Sequence, residues 1–338
     1  MAYLYAVCTV LVFVLTVAAL RLLIPKLRSM KMGQKILDIG PRWHKSKEGT
    51  PTMGGIAFAV PVTVVTAAAL ALAPTLGINV PTAPVLLTLL LAVGNGVIGV
   101  VDDLTKFRKK QNEGLTAPQK YALQLAMAGA FLALLRLYGT PDTTVSVPFT
   151  DIHLELGWFY YVFALIFITG IINSVNLTDG IDGLASSVTF VVAAFLSVLG
   201  FTYANNGAVL LGSVTVGATL GFLVYNFYPA RVFMGDTGSL FLGGAVAALA
   251  FAYDMPLILV TLGIMYIIEA LSDIIQVGYF KLTHGKRVFK MSPFHHHLEM
   301  GGWTGHKWKE TQIVALFAGV TVLFAVLSFI GVFHRFGV

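Results

Sequence analysis

Charge is scarce in this sequence. Asp, Glu, Lys and Arg make up 11% of its 338 residues, against about 25% in an ordinary soluble domain. A soluble chain of this length must show a mostly polar surface, so the deficit excludes a soluble enzyme and a disordered chain alike. Cysteine is almost absent. Cys8 stands alone, which rules out an intrachain disulfide and with it a disulfide-stapled secreted domain; in its apolar run the thiol packs as a small hydrophobe. There is no Walker phosphate loop and no dinucleotide fingerprint, no repeat at solenoid spacing and no low-complexity segment. Hydrophobic residues take the space instead, at 57% of the chain and a mean hydropathy of +0.82. That is the composition of an integral membrane protein. The net charge of +6 does not point to a nucleic-acid partner, because in a membrane protein the placement of charge matters more than its sum.

A helix needs about 20 mostly apolar residues to cross the hydrocarbon. Ten runs qualify: 3–23, 54–73, 84–101, 121–137, 158–175, 184–204, 208–227, 240–253, 255–275 and 313–333. The eighth is short and needs burial among neighbours. The ninth carries Glu269 and Asp273 and is expected to bend or leave the bilayer early. No run alternates as a membrane barrel strand does, so the fold class is an all-α polytopic membrane protein, with residues 1–338 forming a single membrane domain. Placing the basic connections in the cytoplasm leaves only Arg136 and Arg335 on the other side and puts both termini outside. The N-terminus lacks a basic n-region, and its charges follow the first run, which reads as an uncleaved anchor rather than a signal peptide. On the outer side, 143–147 and 152–156 each alternate apolar and polar around Pro148, which predicts a small periplasmic β-hairpin.

The polar chemistry falls into cytoplasmic clusters. Asp102 and Asp103 end the third run, ahead of Lys106, Arg108, Lys109 and Lys110. Acids at a membrane edge are costly unless paired or metal-bound; a plain helix end answered by its basic run is the alternative. Asn176, Asp179 and Asp182 recur every three residues with Gly180 and Gly183 between them, a loop without Lys or Arg that suits Mg²⁺ or the hydroxyls of a sugar or base. Next comes 226–239, where Gly235 to Ser239 form a polar turn opening a helix. Its N–H groups can serve a phosphate, or Asp236 can simply cap the helix. Phe233 there is either a ring that stacks a base or a residue dipping into the core. The last cluster is 291–299 with His295, His296 and His297. Their spacing does not match a structural zinc site, and on a strand His295 and His297 would share one face. Hydrogen bonding to phosphate or sugar is the reading, in a loop whose flanking Lys286, Arg287, Lys290, Lys307 and Lys309 can hold an anion. Lys45 and Lys47 add flexible charge ahead of Gly54 and Gly55. Together these groups are what phosphoryl transfer needs: a metal, cations for the oxygens and a carboxylate for the proton.

In order along the chain, 50–55 (Thr-Pro-Thr-Met-Gly-Gly), Asp102 with Asp103, 176–184 (Asn-Leu-Thr-Asp-Gly-Ile-Asp-Gly-Leu), 235–239 (Gly-Asp-Thr-Gly-Ser) and 293–299 (Pro-Phe-His-His-His-Leu-Glu) resemble the bacterial phospho-N-acetylmuramoyl-pentapeptide transferases of the polyprenyl-phosphate sugar-1-phosphate transferase superfamily. Ile181 and Ser174 stand where Leu and Ala are commoner, and neither touches the chemistry. The resemblance implies Mg²⁺-dependent transfer of phospho-MurNAc-pentapeptide from UDP-MurNAc-pentapeptide to undecaprenyl phosphate, giving lipid I and UMP for peptidoglycan synthesis. It implies a homodimer in the bacterial inner membrane with its active site facing the cytoplasm. By the same resemblance Asp236 is the metal ligand, and Asp102, Asp103 and Asp236 are catalytic. Lys47, Thr52, Asn176, Asp179, Asp182, Asn226, Phe233, His295, His296 and His297 bind substrate. Asp102 is expected to accept the proton, with Asp103 as its electrostatic partner.

Two rivals remain at this level. A sister transferase using UDP-N-acetylglucosamine shares the aspartate motifs, whereas the triple histidine is more specific to the muramoyl branch. An ion-coupled transporter would also have ten helices and conspicuous acids, but transporter sites lie near the midplane on broken helices.

Overall fold

The computed structural model describes residues 2–30, 47–109, 113–138, 143–252 and 254–336; Lys45 and Lys110 lie outside them. The chain is mostly helical, and among the described residues nine helices are long and apolar enough to cross a membrane. The first eight runs and the tenth each fall on one helix, with ends that differ by up to eight residues: α1 (Ala2–Ser29), α2 (Ile56–Leu72), α3 (Thr82–Lys109), α4 (Ala117–Leu137), α5 (Phe159–Thr178), α6 (Leu184–Thr202), α7 (Asn206–Asn226), α8 (Gly235–Ala252) and α12 (Glu310–Phe336). Apolar side chains such as Val10, Val60, Val97, Ile166 and Val326 point outward, as they do where lipid replaces water.

The ninth run departs from a single crossing. It is divided at Gly263 into α9 (Ile258–Leu262) and α10 (Ile264–Leu282). The cause is polarity on one side. α10 buries Glu269, Ser272 and Gln276 while exposing Leu271, Ile274 and Ile275. An averaged hydropathy cannot separate those two faces. A six-residue helix, α11 (Phe294–Glu299), then carries the three histidines, so the histidine segment is helical rather than extended.

α8 is the centre. From Thr237 to Ala252 every residue is buried, as the shortness of its run required. Its small side chains admit neighbouring backbones: Gly243 lies against Ile172 of α5, and Gly244 against Leu91 and Ala92 of α3. Such close approach is how membrane helices gain packing without a hydrophobic drive between them. α3 packs along most of α8 and runs eight residues past its apolar run to Lys109, placing Asp102 and Asp103 inside the helix. Thr116 caps the start of α4, its backbone N–H donating to Gln119 Oε1 at 3.1 Å in a capping box; Lys120 is thereby set in the first turn.

The expected hairpin is present. β1 (Thr144–Ser146) pairs antiparallel with β2 (His153–Glu155), with Val145 opposite Leu154. Its loop docks on α12, where the Phe149 N–H donates to the Gly331 carbonyl at 3.1 Å.

Candidate active site

The polar groups assemble at one end of the helix array, formed by the C-terminal ends of α3, α5 and α7 and the N-terminal ends of α2, α4, α6, α8 and α12. Asp102, Asp103 and Asp236 offer carboxylate oxygens that all lie within 4.8 Å of one another. Three hard oxygen donors so close form a set able to hold a divalent cation, since Mg²⁺ is held by one or two carboxylates and completes its shell with substrate phosphates and water.

Each acid has a distinct environment. Asp103 reaches from α3 to the start of α8, where its Oδ2 accepts the Thr237 N–H at 3.0 Å and the Thr237 hydroxyl at 2.8 Å, and its Oδ1 accepts the Asp236 N–H at 3.3 Å. Asp103 therefore caps α8 from a neighbouring helix, and the capping role considered for Asp236 belongs to it. Gly235 has φ +68, and a Cβ there would fall 2.5 Å from Asp103 Oδ2 and 2.7 Å from Thr52 Oγ1, so only glycine fits beneath this cap. Asp102 accepts the Leu115 N–H at 2.8 Å and pairs with Lys106 at 2.6 Å. Asp236 keeps its carboxylate for the site: Oδ2 takes Lys106 and Lys120, each at 2.8 Å, and Oδ1 takes Asn176 at 2.8 Å. Asn176 also donates to Ser239 at 2.7 Å. Lys106 lies 3.9 Å from Asp103 as well. Two ammonium groups thus offset two of the three carboxylate charges, which leaves one net negative charge in the cluster.

A second group lies alongside. Lys47 is held between Asp182 at 2.7 Å and Glu310 at 2.6 Å. Glu310 Oε2 also accepts the Asp182 N–H, and Asp182 Oδ2 accepts the Ala230 N–H at 2.8 Å. Asn226 is buried and works as a brace: its Oδ1 accepts the Gly183 N–H at 3.1 Å, and its amide donates to the Val232 carbonyl at 3.0 Å. Phe233 is half-buried, its backbone tied to Pro51 and Gly54. Asp179 sits just beyond α5; burial and the negative charges of Asp236, Asp103 and Asp182 push its carboxyl well above the usual range.

The three histidines separate. His295 is fully buried and bonded to Glu269 at 2.6 Å. His296 is partly exposed and bonded to Glu299 at 2.7 Å. His297 is fully buried, accepts the Lys290 N–H at 3.1 Å through Nδ1, and lies among Phe289, Phe294 and Trp303. Burial and the nearby Lys290 lower its pKa. Of the three, only His296 offers its ring to an incoming molecule.

The sequence reading names Asp102, Asp103, Asp236 and Asn176, and the structure brings these four together, with Lys47 and Asp182 beside them. It omits Lys120 and Glu310, and it gives Lys106, Ser239 and Glu269 no individual part in the site. Lys106 had a signal, since it follows Asp102 by four residues and Asp103 by three on one helix. Glu269 had one as well, as an acid within an apolar run. Lys120 and Glu310 had none, because their partners lie more than a hundred residues away.

Residues 84–254 match the family described as Glycosyl transferase family 4. Residues 47–58, which contain Lys47 and Thr52, match phospho-N-acetylmuramoyl-pentapeptide-transferase signature 1. The phospho-N-acetylmuramoyl-pentapeptide-transferase of Bacillus cereus (strain AH187) is 46% identical over 321 residues, which is 95% of this chain and 95% of that protein. The protein of the same name from Clostridium perfringens (strain 13 / Type A) is 45% identical over 308 residues, 91% of this chain and 92% of its own length. That from Clostridium kluyveri (strain NBRC 12016) is 42% identical over 309 residues, 91% and 93% of the two chains.

Proposed function

The chain belongs to the phospho-N-acetylmuramoyl-pentapeptide-transferase family and is an enzyme of that kind, and from this premise we propose that it transfers phospho-MurNAc-pentapeptide from UDP-MurNAc-pentapeptide to undecaprenyl phosphate, releasing UMP and forming lipid I. The observation that carries the reading is the convergence of Asp102, Asp103 and Asp236 with Lys106 and Lys120 at one end of the helix array. A phosphate monoester is already a nucleophile once its charge is screened, so an oxygen of the acceptor phosphate attacks the sugar-bearing phosphorus of the donor directly. The bond from that phosphorus to the UMP oxygen breaks. Asp102 takes any proton left on the acceptor phosphate; its carboxylate is aimed by the Leu115 N–H and by Lys106. Asp103 holds the first turn of α8, and with it Asp236, in place. Lys106 and Lys120 meet the phosphate oxygens as charge builds in the transition state. Asp236 and its neighbouring carboxylates would hold Mg²⁺, which when bound would supply charge neutralisation for the transfer.

In this reading Lys47, Thr52, Asn176, Asp179, Asp182, Asn226, Phe233 and the histidine segment form or brace the nucleotide-sugar side. Residues 1–338 work as one membrane transferase domain, and the site draws on residues from Lys47 to Glu310. The protein is a homodimer of the bacterial inner membrane, with the site facing the cytoplasm and the hairpin and both termini outside. The distribution of Lys and Arg supports that orientation. The test is to incubate purified protein with Mg²⁺, undecaprenyl phosphate and either UDP-MurNAc-pentapeptide or UDP-N-acetylglucosamine, and to measure UMP. Release with the muramoyl donor alone is expected; release with the other donor alone would overturn the assignment.

A further inference from the structure

Two amides meet between α4 and α5, inward of the carboxylate centre. Gln124 Nε2 donates to Asn173 Oδ1 at 3.3 Å, and Asn173 Nδ2 donates to Gln124 Oε1 at 2.8 Å. Asn173 Nδ2 also donates to the Thr169 carbonyl of its own helix at 2.8 Å, which fixes the edge its amide presents to Gln124. Gln124 follows Lys120 by four residues on α4, and Asn173 precedes Asn176 by three on α5, so each couple shares a helix face. Lys120 and Asn176 both donate to Asp236, at 2.8 Å each. With a rise of about 1.5 Å per residue, the amide pair lies about one turn below the Lys120–Asp236–Asn176 contact. The two helices are therefore tied by two rungs, one at the site and one beneath it. Little else holds this end of α4. None of residues 117–123 is fully buried, and Gln124 is the first that is. The loop ahead of the helix adds the Leu115 N–H on Asp102.

We propose that Gln124 and Asn173 are positioning residues, which set the start of α4 against α5 so that Lys120 stays on Asp236. Between helices in hydrocarbon there is little hydrophobic drive, so an interhelical hydrogen-bonded pair decides where they meet. A reciprocal amide pair has one length and one direction, which an apolar contact does not. Neither amide touches a carboxylate of the site; both act through the ammonium one turn above. The inference rests on the transferase reading given above for its kinetic side only. There Lys120 meets charge that builds in the transition state, so a displaced ammonium lowers kcat and leaves substrate affinity as it was. A misplacement near 1 Å is enough to cost about 10²-fold.

The experiment compares three kinds of variant of the full chain in detergent. Gln124→Asn shortens one arm of the pair and Asn173→Gln lengthens the other, while the two together restore the summed length. Gln124→Met with Asn173→Leu keeps the volume and removes both polar groups at once, a change that can leave stability nearly as it was. Three quantities are read: the melting temperature, the steady-state constants for UMP release, and the acetylation of Lys120 by limiting acetic anhydride. Mass spectrometry measures that acetylation relative to Lys106 on α3, which the pair does not contact. Each single variant and the apolar pair are expected to lower kcat about tenfold or more, with both KM values within about twofold. The same variants are expected to raise Lys120 acetylation about threefold or more, as the ammonium leaves Asp236, and the swapped pair is expected to bring both readings back to within about twofold of wild type. The proposal is overturned by a swapped pair no better than the single variants, by an apolar pair that keeps full turnover, or by Lys120 acetylation that ignores the pair. A kcat that only follows the melting temperature overturns it too, since that is the mark of a structural role. The swapped and apolar pairs decide the matter even if a single variant does not fold. If the wild type releases no UMP from the muramoyl donor, the transferase reading fails, and the acetylation of Lys120 still judges the pair.

Discussion

Asp236 receives three donors, and its two acidic neighbours each do something else as well. Asp236→Asn removes the charge without changing volume and is expected to lower turnover by at least ~10²–10³; UMP release, checked against an unchanged melting temperature, measures this, and a folded variant with near-normal turnover at ordinary Mg²⁺ would sink the metal-ligand assignment. Asp103 also caps α8, so Asp103→Ala is expected to lose about 0.5–2 kcal/mol of stability together with activity. Asp102→Asn still accepts the Leu115 N–H and should lose activity with little stability. Protonation follows from two other residues. Asp179 has a carboxyl raised above 3.8 in the fold, so above that pH the folded chain holds the proton longer than the unfolded one. Stability therefore falls as pH rises through the interval, and Asp179→Asn is expected to abolish that fall and melt higher at neutral pH. His297 has the opposite sign. Its pKa is lowered from 6.5, the unfolded chain protonates first, and the stability present above pH 6.5 is lost as pH falls below it. His297→Ala is expected to cost about 2 kcal/mol or more in a denaturation curve, through lost packing and a lost buried hydrogen bond. At this scale the chain shows its acids readily, because an acid in an apolar sequence stands out. It hides their partners, because Lys120 and Glu310 sit in ordinary helix starts and gain meaning only when distant helices meet.

Where helices cross, backbone rather than side chain sets the spacing. A Cβ on Gly99 of α3 would lie 2.2 Å from the Asp236 carbonyl oxygen, so Gly99→Ala must push the first turn of α8 away from α3. Overpacking of this kind costs about 1–3 kcal/mol, yet a shift near 1 Å between Asp236 and Asp102 is expected to lower turnover about 10²-fold. Comparing the denaturation midpoint with UMP release checks whether activity falls by more than stability accounts for. Nine of the ten runs are legible as helices because an apolar stretch of membrane length has few other fates. The ninth is not. Its apolar residues average out to a span, while the side that buries Glu269, Ser272 and Gln276 belongs to the protein interior. The histidine segment misleads for a related reason: three identical residues carry no periodicity, and the turn after Pro293 decides that they form a helix.

Across the whole molecule, the acids of the site lie at helix ends rather than at the middle of the bundle, which argues against a transporter, whose site would sit on broken helices at the midplane. Lys106 and Lys120 already offset two of the three carboxylate charges, so removing divalent ions with EDTA is expected to abolish UMP release while leaving the protein folded. Restoring Mg²⁺ to about 100 times its dissociation constant should add about 2.7 kcal/mol of stability, read as a rise in melting temperature. The order of the segments, their turns and their acids could be read along the chain, whereas the meeting of α3, α4, α5 and α8 at one point could not, since it depends on which small residues let those helices approach. One feature reaches further than the reaction itself. Asp103, carried on one helix, closes the first turn of another, so the event that seats α8 is the event that assembles the carboxylate centre. In a detergent extract supplied with Mg²⁺, the fraction that titrates as active is then expected to equal the fraction that is folded, and yield can be counted by either measure.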